Sequence, residues 1–262
     1  MTNKMKESNS ETVSRAAETL LQARRTGKKV NGLFGEALPR STDEAFRVQL
    51  EVARSLGENI AGYKVSMSSG NPVAGVILGS TALKSPGSWP KGSWLRMETE
   101  IAFVIGEQGP ATAGAVDIDK ARSLISGIAS GIEILESRYL AQGRLQSLLE
   151  RSADNLSNGA YVIGPEVKHW QSVNLLEQHL TMRIGKELLF NENVRHPLKE
   201  PLECVAWLAG FLPNYGLRLE PGQFVTTGSY TGAHAVIPGD EIRVVFGDIP
   251  EVAVKLGVPG HW

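Results

Sequence analysis

The chain has 262 residues, with 27 Lys and Arg against 28 Asp and Glu, and a formal net charge of −1. Its apolar content of 42% can fill a sizeable core, which excludes a fibre and a minimal disulfide-stapled scaffold. The near-zero charge argues against nucleic acid or an anionic membrane surface as a partner. A single cysteine, Cys204, cannot form an internal disulfide, so we expect a reducing compartment. A soluble enzyme or a soluble small-molecule binder remains.

Targeting signals are not evident in the sequence. The first 27 residues contain no continuous apolar segment of the kind that secretory signals carry. No stretch of the chain approaches the roughly 20 apolar residues that a membrane-spanning helix needs. We therefore predict a cytoplasmic protein without a membrane partner.

The N-terminal part of the chain has the pattern of amphipathic helices. Apolar residues at helical spacing predict one helix over residues 11–26 and a second over residues 42–56. Ser41 and Glu44 fit a capping box at the start of the second helix. We predict an N-terminal helical region over residues 1–59.

From residue 60 onward, short apolar runs alternate with Gly, Pro and Ser, which is typical of strands joined by turns. The predicted strands are Ala61–Met67, Leu95–Ile105, Ile132–Leu135, Ala160–Ile163, His179–Ile184, Gln223–Thr227, Glu241–Phe246 and Glu251–Leu256. Helices are predicted over Asp117–Ile128 and Pro201–Leu212. Residues 60–262 thus form one strand-rich domain, and the fold class is α+β.

Two acids stand near the start of an otherwise apolar strand. Glu98 and Glu100 are two residues apart, so their side chains point to the same face, about 7 Å apart along the chain. Such a pair is tolerable if both face water or if a cation lies between them. Hard divalent ions prefer this oxygen-only ligation. An isolated pair of this kind is most often a solvated strand end.

A third acid, Glu133, lies between two isoleucines in a predicted core strand. A charge in that position is costly unless it is paired or bound to a metal. Arg138 could instead satisfy either Glu133 or Glu136 as an ion pair. Both interpretations remain open at the level of the sequence.

Lys64 is a lone lysine in an apolar strand that runs into a turn containing Ser68 and Ser69. A buried lysine beside carboxylates can pair with them or hold an anionic substrate, whereas a surface lysine would extend its amine to water. Another polar segment, from Ser152 to Gly159, which includes Asp154 and Ser157, has the composition of a turn. The five histidines show neither metal-ligand spacing nor a nucleophile partner.

These segments, in this order and spacing, resemble the 2-oxopent-4-enoate hydratase / 4-oxalocrotonate decarboxylase family of the fumarylacetoacetase superfamily. The resemblance runs from about Ile60 to Leu256. It is carried by GYKVSMSS around Lys64, ETEIAF from Glu98, GIEILESR around Glu133 and ADN around Asp154. HPL, AWLA, GS and PGD in the C-terminal part also match.

The resemblance implies a mixed β-sheet roll of the fumarylacetoacetase C-terminal-domain type, flanked by helices, as a metal-binding catalytic domain over residues 60–262. By similarity, Glu98, Glu100 and Glu133 bind Mg²⁺ or Mn²⁺ and Lys64 contacts the substrate; these four are the predicted catalytic residues. Further predicted substrate contacts are Lys64, Ser68, Ser69, Asp154 and Ser157. The family also implies a homo-oligomer.

The implied activity is that of a lyase in aromatic catabolism, with a small 2-oxo acid as substrate. The first hypothesis is a hydratase that adds water to a 2-hydroxy-2,4-dienoate and yields a 4-hydroxy-2-oxo acid. The alternative is decarboxylation of a 2-oxo-3-enedioate of the 4-oxalocrotonate type at the same metal site. A second alternative is an inactive oligomeric binder of small acids. Hydrolysis of a 1,3-diketone is disfavoured, because the early region contains no matching His–Glu pair.

The sequence departs from the family at the far end of the implied substrate site. In the hydratases an acidic residue usually occupies the position of Val73. The decarboxylases, like this sequence, lack an acid at that position. The segment from Asn158 to Gly164 is closer to the hydratases. Glu136 replaces the usual Asp, and Ser66 replaces a usual Gly. These departures leave open whether the substrate or the reaction differs from that of the family. They also leave open which group replaces the missing acid.

Overall fold

The structure is a computed structural model that describes residues 2–67, 71–90, 95–141 and 145–258, with side chains from residue 10 onward. The helices are α1 (Thr2–Thr26), α2 (Thr42–Leu56), α3 (Ile118–Ser123), α4 (Leu148–Ala153) and α5 (Leu202–Phe211). The strands are β1 (Ile60–Ser66), β2 (Val73–Leu78), β3 (Ala82–Lys84), β4 (Gly87–Trp89), β5 (Leu95–Ile105), β6 (Ile125–Leu135), β7 (Asn158–Ile163), β8 (Glu177–Ile184), β9 (Glu187–Arg195), β10 (Phe224–Thr226), β11 (His234–Val236), β12 (Glu241–Phe246) and β13 (Ile249–Leu256).

The strands form two mixed sheets. The eight-stranded sheet has the order β2-β1-β10-β5-β6-β7-β3, with β11 also paired to β5. The five-stranded sheet has the order β4-β13-β12-β8-β9. Most neighbouring strands are antiparallel, whereas β1–β10, β3–β7 and β4–β13 are parallel. This arrangement confirms the predicted α+β class with mixed sheets flanked by helices.

The main core joins both sheets to α5. It contains Ile132 from β6, Val244 from β12 and Leu208 from α5, each fully buried. A second core cluster lies between α1 and α2 and includes Leu20 and Val48. The predicted boundary between residues 1–59 and 60–262 stays a prediction.

Local signals explain both ends of α2. The Ser41 hydroxyl accepts a hydrogen bond from the Glu44 N–H, as expected of a residue that caps a helix. The Glu44 carboxylate accepts the N–H of Arg40, one residue earlier than a capping box requires. Gly57 ends the helix with a φ of 68°, a conformation that favours glycine.

Most predicted elements are present within a few residues of their predicted bounds, and Leu95–Ile105 and Glu241–Phe246 match completely. The helix predicted over Asp117–Ile128 is wrong in its second half. It ends at Ser123, and β6 begins at Ile125, because β6 pairs with β5 almost along its whole length. This pairing outweighs local helix propensity.

Other differences concern strands that the sequence patterns did not predict. β2, β3, β9 and β11 are not among the predicted strands, and β4 lies within the predicted loop 86–90. α1 begins at Thr2 rather than at residue 11. Among the described residues, no helix combines the length and apolar character that a membrane crossing requires.

Candidate metal centre

The two longest paired strands bring three carboxylates together. Glu98 and Glu100 lie on the same face of β5, and Glu133 of β6 lies directly opposite Glu98 in the register. One carboxylate oxygen from each of the three residues lies within 4.8 Å of the others. Strand alternation and antiparallel pairing therefore create an acidic cluster from residues 35 positions apart in the sequence.

Burial makes this cluster electrostatically costly. Glu133 is fully buried and Glu100 is 2% exposed. Burial raises the pKa of Glu100 well above its usual range, and the Glu133 and Glu98 carboxylates raise it further. Burial also raises the pKa of Glu98, although Lys64 opposes that rise. The ionised forms of these acids therefore need cations nearby.

Lys64 supplies one such cation. Its Nζ donates hydrogen bonds to Oε1 and Oε2 of Glu133 at 2.7 and 2.6 Å, and to the Leu156 carbonyl at 3.2 Å. Burial disfavours the charge on Lys64, but the surrounding carboxylates outweigh burial and raise its pKa. Lys64 is thus a largely buried partner of the Glu133 carboxylate and not a surface lysine.

The polar contacts of the cluster leave room for a second cation. Asn158 donates a further hydrogen bond to Glu133 at 2.8 Å. Oε2 of Glu100, by contrast, is buried and finds no hydrogen-bond partner among the residues that the structure describes. A buried acceptor without a donor is costly, and a divalent ion bound by carboxylate oxygens would satisfy it. The donor set of Glu98, Glu100 and Glu133 therefore fits Mg²⁺ or a similar ion.

A strained turn delivers the Leu156 carbonyl to Lys64. Asn155, Leu156 and Ser157 have φ values of 53°, 53° and 65°, a left-handed conformation that side chains disfavour by roughly 1–2 kcal/mol per residue. The Asn155 amide holds the turn by donating to the Val76 carbonyl at 2.7 Å. Arg24 of α1 donates to the Asn155 Oδ1 at 2.8 Å. The N-terminal helix therefore supports the turn that lies beside the site.

Gly75 allows the close approach of this turn to Lys64. A Cβ atom at residue 75 would lie 2.8 Å from Cγ of Lys64 and 2.9 Å from the Asn155 carbonyl oxygen. Both distances are shorter than normal contacts, so a side chain at this position would displace the lysine or the turn.

Asp154 lies outside the candidate substrate site. It is fully buried, and its carboxylate accepts hydrogen bonds from Nε and the backbone N–H of Arg138 and from the Ser137 hydroxyl. Its position gives no support to the predicted substrate contact. Arg138 therefore pairs with Asp154, and the ion pair considered between Arg138 and Glu133 is replaced by the one between Lys64 and Glu133.

A cavity of about 630 Å³ opens next to the acids. The predicted residues that line it are Lys64, Glu98, Glu100 and Ser157. Apolar walls come from Met67, Leu135, Leu148, Leu156 and Leu198. Ser68 and Ser69, predicted as substrate contacts, lie outside the described residues. The cavity thus combines charged residues with apolar walls.

Several residues that line the cavity or support the acidic cluster were not predicted from the sequence. Arg96, Arg151 and Thr227 line the cavity, and Asn158 holds Glu133. Alternation along β5 could have indicated Arg96, because it shares a face with Glu98 and Glu100. Arg151 carries no such signal, since its placement depends on how α4 packs. Val73 is buried in β2 opposite Ser66 of β1 and offers no acid to the cavity.

Comparison with known proteins identifies the family. Residues 54–256 match the fumarylacetoacetate (FAA) hydrolase C-terminal family. A 4-oxalocrotonate decarboxylase from Pseudomonas putida is 23% identical over 259 residues, which cover 94% of this chain and 97% of that protein. A 2-keto-4-pentenoate hydratase 1 from Dechloromonas aromatica (strain RCB) is 25% identical over 243 residues, which cover 87% of this chain and 91% of that protein.

Solved structures agree in fold. A 4-oxalocrotonate decarboxylase from Pseudomonas putida G7, complexed with magnesium and adipate, superimposes with a TM-score of 0.79 at 22% identity, covering 94% of this chain and 97% of that one. This likeness confirms the predicted roll-type fold. With the family match over residues 54–256, it follows that the chain belongs to the fumarylacetoacetate hydrolase C-terminal family.

Proposed function

We propose that the protein is a metal-dependent lyase that adds water to a 2-hydroxy-2,4-dienoate and forms a 4-hydroxy-2-oxo acid. The observation that carries this proposal is the cluster of Glu98, Glu100 and Glu133, of which Glu100 and Glu133 are buried and whose ionised form carries more negative charge than Lys64 can balance. Relatives named as hydratases, among them a 2-keto-4-pentenoate hydratase from Paraburkholderia xenovorans (strain LB400), support the reaction class.

The proposed metal ligands are Glu98, Glu100 and Glu133, with Mg²⁺ or Mn²⁺ as the ion. When bound, a divalent ion would polarise the 2-oxo acid that chelates it and stabilise negative charge on the conjugated chain. Relatives of the same fold have been solved with magnesium, with calcium and, at a TM-score of 0.54, with Mn²⁺. Metal analysis of the purified protein distinguishes these ions.

Lys64 is proposed to act directly on the substrate. Its ammonium group lies among the three carboxylates and keeps its proton because of them. From this position it can donate a hydrogen bond to an anionic oxygen of the substrate in exchange for one of its bonds to Glu133. Ser157, on the cavity wall, is a proposed polar contact, and Ser68 and Ser69 remain proposed contacts from the sequence.

The apolar walls serve the same reaction by excluding bulk water. Leu135, Leu148 and Leu198 border the cavity close to the charged residues, so the electrostatic contacts there act in a medium of low polarity. Charge that develops on the conjugated chain is then stabilised more strongly than it would be in water.

Decarboxylation of a 2-oxo-3-enedioate is the second candidate. The observation that favours it is Val73, a buried apolar residue in β2 where hydratases of the family carry an acid. Without that acid, the far carbon of the substrate lacks the expected proton-transfer group. Both reactions would use the same carboxylate cluster and differ in what happens at the far end of the substrate.

Turnover with both substrate types tests the proposal. The purified protein is incubated with Mg²⁺ or Mn²⁺ and either a 2-hydroxy-2,4-dienoate or a 2-oxo-3-enedioate, and the 4-hydroxy-2-oxo acid and CO₂ are measured. Metal-dependent formation of the hydroxy acid, lost in Glu98→Gln, is the expected result. Metal-dependent release of CO₂ without formation of the hydroxy acid would indicate the decarboxylase. No turnover of either substrate would indicate a small-acid binder.

A homo-oligomer in the cytoplasm is also proposed. β9 is an edge strand of the five-stranded sheet, and its Leu188 and Leu189 are 46% and 42% exposed. Exposed apolar side chains on an unpaired strand edge favour association between subunits. Light scattering of the purified protein would give the subunit number, and cell fractionation would give the compartment.

A further inference from the structure

Two arginines line the candidate substrate cavity together with the acidic cluster. Arg96 lies on β5, and Arg151 lies on α4 one helical turn after Leu148, which also borders the cavity. The cavity therefore contains cationic groups in addition to Lys64. Its charged residues are of both signs, and apolar walls lie among them.

The position of Arg96 follows from strand geometry. Arg96, Glu98 and Glu100 share one face of β5, and Arg96 lies about 7 Å beyond Glu98 along the strand. In the neighbouring strand β6, Leu135 is opposite Arg96 just as Glu133 is opposite Glu98. The sheet thus presents an acidic row, and next to it a row with a guanidinium and an apolar side chain. This spacing suits a short molecule with an anionic group at each end.

Both arginines are exposed, and the described residues use little of the hydrogen-bonding capacity of their guanidinium groups. Arg96 donates to the Ala233 carbonyl at 3.0 Å. Within residues 10–67, 71–90, 95–141 and 145–258, no carboxylate forms an ion pair with Arg96 or with Arg151. A guanidinium has five N–H donors in a planar arrangement that matches a carboxylate. Two such groups in one cavity with few protein partners can bind an anion.

We propose that Arg96 and Arg151 bind a second carboxylate of the substrate, so that the substrate class is a 2-oxo-enedioate and not a monocarboxylic 2-oxo acid. This inference rests on the proposed function, because it takes the first carboxylate and the 2-oxo group to lie at Glu98, Glu100 and Glu133. It concerns binding alone, and it holds whether the bound acid is hydrated or decarboxylated.

Matched pairs of saturated acids test the inference by calorimetry. The pairs are 2-oxoadipate with 2-oxohexanoate and 2-oxopimelate with 2-oxoheptanoate, which differ only in the second carboxylate. In saturating Mg²⁺, the wild-type protein should bind the diacid at least tenfold more tightly in one pair or both. In the double variant Arg96→Met/Arg151→Met that preference should fall below threefold. Arg243→Met, on an exposed surface, is the control and should retain it.

The outcomes separate this inference from the proposed function. Equal affinities for both members of each pair in the wild type, or an undiminished preference in the double variant, would overturn the second-carboxylate site and leave the metal-centred function intact. If none of the four acids shows Mg²⁺-dependent binding, the proposed function fails, and the inference fails with it. Circular dichroism of the variants checks that they fold.

Discussion

Lys64 donates hydrogen bonds to both carboxylate oxygens of Glu133, at 2.7 and 2.6 Å, and this pairing commits the lysine mainly to one of three neighbouring acids. Among the described residues, one buried oxygen of Glu100 has no hydrogen-bond partner. When all three acids are ionised, the cluster is therefore balanced only if a further cation is present.

Removal of the Glu100 charge should stabilise the metal-free protein. Glu100→Gln preserves the shape of the side chain and removes a buried charge that Glu133 and Glu98 repel, so we expect a gain of about 1–3 kcal/mol in the free energy of unfolding at pH 7. Urea unfolding in the presence of a chelator measures it. Glu51→Gln, which changes a helix-surface acid paired with Arg54, is the control. A loss of stability in Glu100→Gln would contradict the account.

Removal of the Lys64 charge should have the opposite effect. Lys64→Met leaves the fully buried Glu133 without its cation, and we expect a loss of about 3–5 kcal/mol in the unfolding free energy without metal. The double variant Lys64→Met/Glu133→Gln removes both charges and should recover most of that loss. A double-mutant cycle by urea unfolding gives the coupling. Additive effects would show that the two residues do not interact.

His196 should make stability depend on pH. Its side chain is buried, with 4% exposure, and the Tyr230 ring packs against it. Nδ1 accepts a hydrogen bond from the Leu198 N–H at 3.0 Å, and Nε2 lies 3.2 Å from the Thr227 hydroxyl. Burial lowers its pKa to about 4, below the ordinary 6.5. Between pH 6.5 and pH 4, the unfolded chain therefore binds a proton at His196 that the folded protein does not bind. The free energy of unfolding consequently decreases as the pH falls from 6.5 to 4.

The size of this effect follows from the pKa difference. We expect the His196 contribution to reach about 3 kcal/mol at pH 4, since each pKa unit corresponds to roughly 1.4 kcal/mol. His196→Gln cannot titrate, so its unfolding free energy should fall less steeply with acidification than that of the wild type. Urea unfolding at several pH values compares the two. Parallel pH profiles would show that His196 titrates equally in both states.

Arg24 should stabilise the turn beside the site. Its guanidinium donates to the Asn155 side chain, which is 3% exposed, so Arg24→Met leaves a buried acceptor without this donor. We expect a loss of about 1–3 kcal/mol. The neighbouring Arg25 donates to the Ser55 carbonyl on an exposed surface, and Arg25→Met is the matched control with a loss of less than about 0.5 kcal/mol. Equal stability of the two variants would contradict a supporting role.

The acidic cluster could be predicted because it depends on a local rule. Alternation along β5 places Glu98 and Glu100 on one face, and the apolar surroundings of Glu133 mark it as costly. The pairing of Glu133 with Glu98 depends on the register of two strands, and the partner of Lys64 depends on where β1 lies. The sequence suggested Arg138 as a partner for an acid, but tertiary packing assigns Arg138 to Asp154.

Long-range contacts also explain the features that sequence patterns missed. β6 extends back to Ile125 because β5 provides a strand to pair with, although the local sequence favours a longer helix. β9 is exposed on both faces and therefore has no periodic apolar pattern. Arg151 reaches the cavity only because α4 lies over it, so its role could not be read from its neighbours in the chain.

Calorimetric titration of the metal-free protein with Mn²⁺ at pH 7 measures directly whether the three carboxylates form a metal site. We expect one bound ion per chain in the wild type. Binding should be at least a hundredfold weaker in Glu98→Gln and in Glu133→Gln, and unchanged in Glu51→Gln. Wild-type protein that binds no ion, or Glu98→Gln and Glu133→Gln variants that bind Mn²⁺ as tightly as the wild type, would contradict a metal centre built from Glu98, Glu100 and Glu133.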